Sequence, residues 1–155
     1  MIWLRSIILA SVFCLGSAAL ASELPSIEGP SIRSIVEQSF RGQSVYIGGT
    51  TALHKRSFTS GLLDREFNYI TPENDFKHGR IHPRPGVWDW SKADKWVQHA
   101  EQNDQLIRLH GPIGPQASRW ALADDRTPEE LEASLVDFMT ALCKRYDGHP
   151  NVRWM

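Results

Sequence analysis

Apolar positions along the chain follow two alternating periods. Residues 31–41 carry Ile32, Ile35, Val36 and Phe40 at helical spacing, and Gly42 stops the pattern. Val45-Tyr-Ile-Gly-Gly49 is a short apolar run that predicts a first strand opening on glycines. Phe58, Leu62, Leu63 and Phe67 share one face of a second predicted helix, and residues 67–71 read as a second strand stopped by Pro72. Ser91 is placed to cap a helix through Asn103, with Trp96, Val97 and Ala100 facing inward. Gln105-Leu-Ile-Arg-Leu109 predicts a third strand. Thr127-Pro-Glu-Glu130 combines a capping threonine, a first-turn proline and a glutamate in the capping-box position. The helix it starts runs through Leu131, Leu135, Phe138, Met139 and Leu142 to about Tyr146. Asp147-Gly-His-Pro150 ends it, and Asn151-Val-Arg-Trp-Met155 begins a fourth strand.

Strands alternating with helices, without hairpin signals, predict parallel strands joined by right-handed crossovers. Two α/β architectures fit: an open doubly wound sheet and a (β/α)8 barrel. Gly48-Gly49-Thr50 lacks the glycine fingerprint of a dinucleotide turn. Polar clusters instead follow the second and third strands, and a site spread over several strand ends is barrel behaviour. A barrel takes about 250 residues. The 155 residues supply about four of its βα units, so an N-terminal part of a larger enzyme is expected.

Composition narrows the partners. The net charge of −1 excludes nucleic acid or an anionic membrane recognised through bulk charge. A short basic start, an apolar stretch from Ser6 to Gly16 and Ala19-Leu-Ala21 predict a secretory signal peptide over residues 1–21, cleaved near Ala21. The apolar run is too short to favour a membrane span, so a secreted or periplasmic protein is expected. Cys14, within that peptide, lacks a lipid-attachment context. Residues 22–44 then form a leader and N-terminal helix, and residues 45–155 the barrel portion. Cys143 is left as the single cysteine of the mature chain, which predicts a buried structural thiol rather than a disulfide.

The densest chemistry lies in Thr71-Pro-Glu-Asn-Asp-Phe-Lys-His78. Glu73 accepts, Asn74 donates and accepts, and Lys77 donates, a set suited to many hydroxyls at once. The competing reading is a solvated loop with a weak Glu73–Lys77 ion pair. His110 stands where the third strand ends, and Gln116 and Trp120 follow as sugar contacts or loop packing. His78, His82 and His110 raise the question of zinc. Gly79 and Pro83 argue against one helix presenting the first two, and no His-Glu-x-x-His motif is present, so no metal is expected. No serine elbow and no phosphate loop appear either, and no cofactor is expected. Asp89, Asp94, Asp124 and Asp125 form no evident catalytic pair.

Thr71-Pro-Glu-Asn-Asp-Phe-Lys77, Pro83-Arg-Pro-Gly-Val-Trp-Asp-Trp90, Ala93-Asp94 and Arg108-Leu-His110 together resemble glycoside hydrolase family 10, with endo-1,4-β-xylanase the closest activity. Lys144-Arg-Tyr146 and Asn151-Val-Arg-Trp154 are similar to the segment leading to that family's acid/base motif. The resemblance implies a (β/α)8 barrel and retaining hydrolysis by two carboxyls about 5 Å apart. It implies that Glu73, Asn74 and Lys77 bind xylose hydroxyls on the non-reducing side of the cleavage point. His110 would contact the sugar at that point, and Gln116 would match a family glutamine in the next loop. The implied partner is a polysaccharide or oligosaccharide. Both catalytic glutamates of the family would fall beyond Met155, so this chain alone is expected to be inactive. A carbohydrate-binding protein without chemistry is the alternative, and a metal-dependent barrel hydrolase a third reading. His78 stands where many relatives carry Trp, and the loop after His110 appears one residue shorter, with Gly114 and Pro115 replacing a Trp-His pair. A loosened central subsite is expected from both.

Overall fold

The computed structural model describes residues 28–114, 119–122 and 125–154. The segment read as a signal peptide lies outside them. Four parallel strands form one sheet in the order β1-β2-β3-β4: β1 is Gly48–Thr51, β2 Tyr69–Pro72, β3 Leu106–Arg108 and β4 Val152–Trp154. Helices α1 (Ile32–Ser39), α2 (Arg56–Glu66), α3 (His78–Ile81), α4 (Ser91–Gln102), α5 (Arg119–Leu122) and α6 (Pro128–Tyr146) fall between or before them. Sequential strands are neighbours, so each crossover advances one position, as successive βα units of a barrel wall do.

One face of the sheet is dry. Ile70, Ile107 and Leu109 pack there against Leu63 of α2, Ala93, Trp96, Val97 and Ala100 of α4, and Phe138 and Leu142 of α6. The other face is open and polar, carrying Thr50, Tyr69, Thr71 and Arg108. Alternation along β2 sorts the two sets: Ile70 and Pro72 are buried, Tyr69 and Thr71 half-buried.

Local rules explain most element ends. In α6 the Thr127 hydroxyl accepts from Glu130 N, and Glu130 returns a bond from Thr127 N at 2.8 Å, so the predicted capping box is present. Five expectations change. Pro72 is the last residue of β2 and pairs with Thr51, rather than stopping the strand before it. Strand β1 starts at Gly48 rather than Val45. Ser91 is the first residue of α4 rather than its cap, because the Asp89 carboxylate accepts from Ser91 N at 3.0 Å and serves that end itself. Cys143 is exposed, not buried, because it sits on the outer face of α6. Helical spacing in α1 and α2 translates into burial only in part: Ile32, Ile35, Phe40 and Leu62 are exposed, whereas Leu63 is buried in the core and Phe67 packs against it.

Helix α1 docks instead through polar groups. Arg33 donates to the carbonyls of Asn103 and Asp104 at 2.9 Å each, and Ile32 N donates to Glu66 at 2.7 Å. Between α2 and α4, buried His99 lies 2.8 Å from Asp64 through Nε2, while Arg56 meets its Nδ1 at 2.7 Å. Arginine has only donors, so Nδ1 accepts and Nε2–H points at Asp64.

Candidate functional site

A cleft of about 860 Å³ opens over the polar face of the sheet and the C-terminal ends of its strands. Glu73, Asn74, Lys77 and His110 all line it, together with Tyr46, Tyr69, Thr71 and Arg108. Gln116 lies outside the described residues.

The wall is built from the strands upward. The Thr50 hydroxyl donates to Thr71 O at 2.7 Å, and Glu73 N donates to Thr51 O at 3.0 Å, which carries the β1–β2 ladder up to Glu73. The chain then closes a turn, with Lys77 N donating to Asn74 O at 3.0 Å. Lys77 Nζ donates to Asn74 Oδ1 at 2.8 Å, so the amide accepts on one side and its Nδ2–H2 end is the donor offered to a ligand. Glu73 pairs with Lys55 at 3.7 Å rather than with Lys77. The solvated Glu73–Lys77 pair is therefore not what the loop forms.

The loop after β3 comes to this wall through the backbone. His78 N donates to Pro112 O at 2.8 Å, and Gly111, at φ 54°, passes close enough that a Cβ there would stand 3.8 Å from Lys77 Cε. His110, Lys77 and Asn74 thereby face one space, although they come from different strand ends. A carboxylate, an amide, an ammonium and an imidazole can each bond a hydroxyl, and together they suit a ligand dense in hydroxyls.

His78 does not belong to this cleft. It starts a single helical turn, which lets His78 and His82 share a face despite Gly79 and Pro83, with ring centroids 5.3 Å apart. Both rings turn to the α6 side, where His78 meets Phe138 edge-on at 4.7 Å and His82 stacks on Trp88 at 4.3 Å. Burial holds both imidazoles below the ordinary histidine range; for His78 the neighbouring His82 and Arg126 add to this, and for His82 Arg126 does. Trp120 joins the same cluster, donating to His82 O at 3.2 Å, so it serves packing. Among the described residues no group of three or more His, Cys, Asp or Glu is placed to hold a metal ion.

Two residues inside the quoted motifs have places that the motifs did not assign. Arg108 lines the cleft because it lies two residues before His110 on one strand face, a period-two signal visible in the sequence. Asp75, inside the polar motif, turns away from the cleft and is buried against Trp96.

Comparison with known proteins identifies the family and the fold. The family model described as glycosyl hydrolase family 10 matches residues 31–154. The β-1,4-xylanase of Dictyoglomus thermophilum is 30% identical over 130 residues, covering 83% of this chain and 35% of the relative. Endo-1,4-β-xylanase A of Xylanibacter ruminicola is 28% identical over 141 residues, covering 88% of this chain and 38% of the relative. Among solved structures, xylanase 10B from Thermotoga petrophila in complex with xylobiose superposes with a TM-score of 0.71 at 27% identity, covering 83% of this chain and 39% of that one. Native xylanase 10B from Thermotoga maritima gives 0.70 at 29% identity, covering 80% of this chain and 39% of that one. The chain thus spans less than two fifths of the length of these relatives. Its four-stranded parallel sheet and helices correspond to part of their (β/α)8 barrel. The chain belongs to glycosyl hydrolase family 10.

Proposed function

We propose that Glu73, Asn74, Lys77 and His110 form the substrate-positioning wall of a cleft for β-1,4-xylan or a related plant polysaccharide. Gln116 is assigned to the same wall, on the resemblance of its loop to the family's. The observation that carries the reading is the Lys77–Asn74 hydrogen bond at 2.8 Å on a loop that shares its cleft with His110. Each group can exchange hydrogen bonds with vicinal hydroxyls, and Glu73 and Asn74 arrive on adjacent residues at one strand end. A structural relative was solved with xylobiose, which supports a xylose-based ligand.

Whole proteins of this kind would hydrolyse the glycosidic bond with retention, through an acid/base and a nucleophilic carboxyl about 5 Å apart. Among the described residues lining the cleft, Glu73 is the one carboxylate. It neighbours Lys55 and takes the part of a hydroxyl acceptor. The chain by itself therefore binds and positions, and does not cut. A secreted or periplasmic location, with cleavage near Ala21, completes the reading and rests on the N-terminal sequence pattern.

Titration of xylohexaose into the isotopically labelled chain tests the site. Shifts confined to residues 73–77 and around His110 are expected, with cellohexaose as the control ligand. Saturating xylohexaose without a response there would sink the assignment. Release of nitrophenol from an aryl-xyloside by the pure chain would overturn the non-cutting part. N-terminal sequencing of the exported product checks the cleavage site, and a mature chain that still begins at Met1 would refute it.

A further inference from the structure

Residues 74–77 alternate between two destinations. Asn74 and Lys77 line the cleft, whereas Asp75 and Phe76 turn into the protein. Phe76 is fully buried and meets Tyr146 edge-on at 5.8 Å. Asp75 is 7% exposed, and its carboxylate accepts from Trp96 Nε1 at 2.8 Å. Trp96 is itself fully buried in α4, 21 residues further on. A carboxylate buried this far is costly without a donor, and an indole N–H buried without an acceptor is costly too. The bond satisfies both and links the sugar-facing turn directly to a core helix.

We propose that Asp75 is a positioning residue for the cleft: held by Trp96, it sets the direction in which Asn74 and Lys77 leave the turn. The inference rests on the reading of Glu73–Lys77 as the sugar-binding wall. Asp75 does not line the cleft. It acts because Lys77 N closes on Asn74 O, so a rotation of the peptide between them would displace both cleft side chains together. A pairing of shape alone would not need the donor and acceptor; the 2.8 Å bond makes their chemistry the deciding element.

Three variants of the full chain separate the possibilities. Trp96→Phe loses the donor together with the five-membered ring, so its packing loss is shared by no Asp75 variant. Asp75→Leu loses the acceptor, and Asp75→Asn keeps one carbonyl acceptor. Xylohexaose affinity is expected to fall about fivefold in Trp96→Phe and Asp75→Leu. Asp75→Asn should stay within about twofold of the parent chain, because its carbonyl still accepts from Trp96, and the contrast with Asp75→Leu reads the acceptor. Amide exchange supplies a second measurement. Lys77 N–H should exchange faster in Trp96→Phe while the amides of Phe138 and Leu142 keep their protection. Unchanged affinity and unchanged Lys77 exchange in Trp96→Phe would overturn the inference, as would uniform acceleration through α6. If the parent chain binds no xylohexaose, the sugar reading fails, and Lys77 exchange still decides whether Asp75 holds the turn. If Asp75→Leu does not fold, Trp96→Phe and Asp75→Asn carry the decision.

Discussion

Arg145 holds Asp94 with two hydrogen bonds, from Nε at 2.8 Å and from a terminal nitrogen at 2.5 Å, one to each carboxylate oxygen. The Tyr146 hydroxyl adds a third at 3.0 Å, and the guanidinium lies 4.9 Å over the Trp90 ring. The cluster fastens α6 to the start of α4, the helix that carries Trp96. Both ionic side chains are about two fifths exposed, so solvent screens the pair. Replacing Asp94 with alanine is expected to cost about 1 kcal/mol, near the upper end for a surface pair because the geometry is bidentate. Thermal melts of the parent and variant chains measure it. The Arg145 bonds hold the Asp94 carboxyl below its usual 3.8, so its stabilisation is present above that pH and is lost as pH falls through the lowered value.

Acid should also reach the protein through His78 and His82. Burial, with the charge of Arg126, keeps both below the ordinary 6.5. The unfolded chain takes up these protons at 6.5 while the folded chain resists them. Stability is therefore full above 6.5 and declines as pH drops below it, toward the lowered folded values. A melting temperature that falls between about pH 7.5 and pH 5 is expected, with a shallower fall in His78→Phe, which leaves one histidine fewer to titrate. A flat profile across that range would contradict the buried neutral pair.

Gly48 and Tyr69 are register partners on β1 and β2, and the Tyr69 ring lies against the Gly48 backbone. A Cβ on Gly48 would run into that ring and stand 3.1 Å from Tyr69 O. Gly48→Ala is therefore expected to destabilise by about 1–3 kcal/mol, the usual range for overpacking. Pairing it with Tyr69→Ala should recover part of the loss, and a double-mutant cycle by denaturant titration reads the coupling. Strict additivity would show that the ring is not the obstacle.

Binding should depend unequally on the cleft residues. Lys77→Met removes a charged donor that also orients Asn74, and an affinity loss of about tenfold or more is expected. Glu73→Gln keeps an acceptor and exchanges charge for a donor, so a smaller loss is expected. Lys55→Met acts only through the exposed ion pair with Glu73 and should change affinity least. Calorimetric titration with xylohexaose ranks the three; an order with Lys55→Met first would overturn the assignment of roles.

The chain's own pattern determined the parallel α/β class and the capping box of α6, because these depend on local periodicity and on contacts a few residues apart, whereas the strand order was read from the sheet itself. It also marked Glu73, Asn74, Lys77 and His110, since polar residues crowding two strand ends stand out against apolar runs. Burial was less legible. Leu62 and Leu63 are adjacent apolar residues, and the orientation of α2 on the sheet decides that only Leu63 enters the core. Cys143 is exposed for the same kind of reason. Tertiary structure alone decided the side-chain directions in the loop after β2. Asp75 turns inward because Trp96 offers a donor there, and His78 turns to Phe138 because Pro112 O captures its backbone N–H. Those partners lie more than 20 residues away along the chain, and a loop whose backbone follows no repeat carries no period from which such a direction could be read.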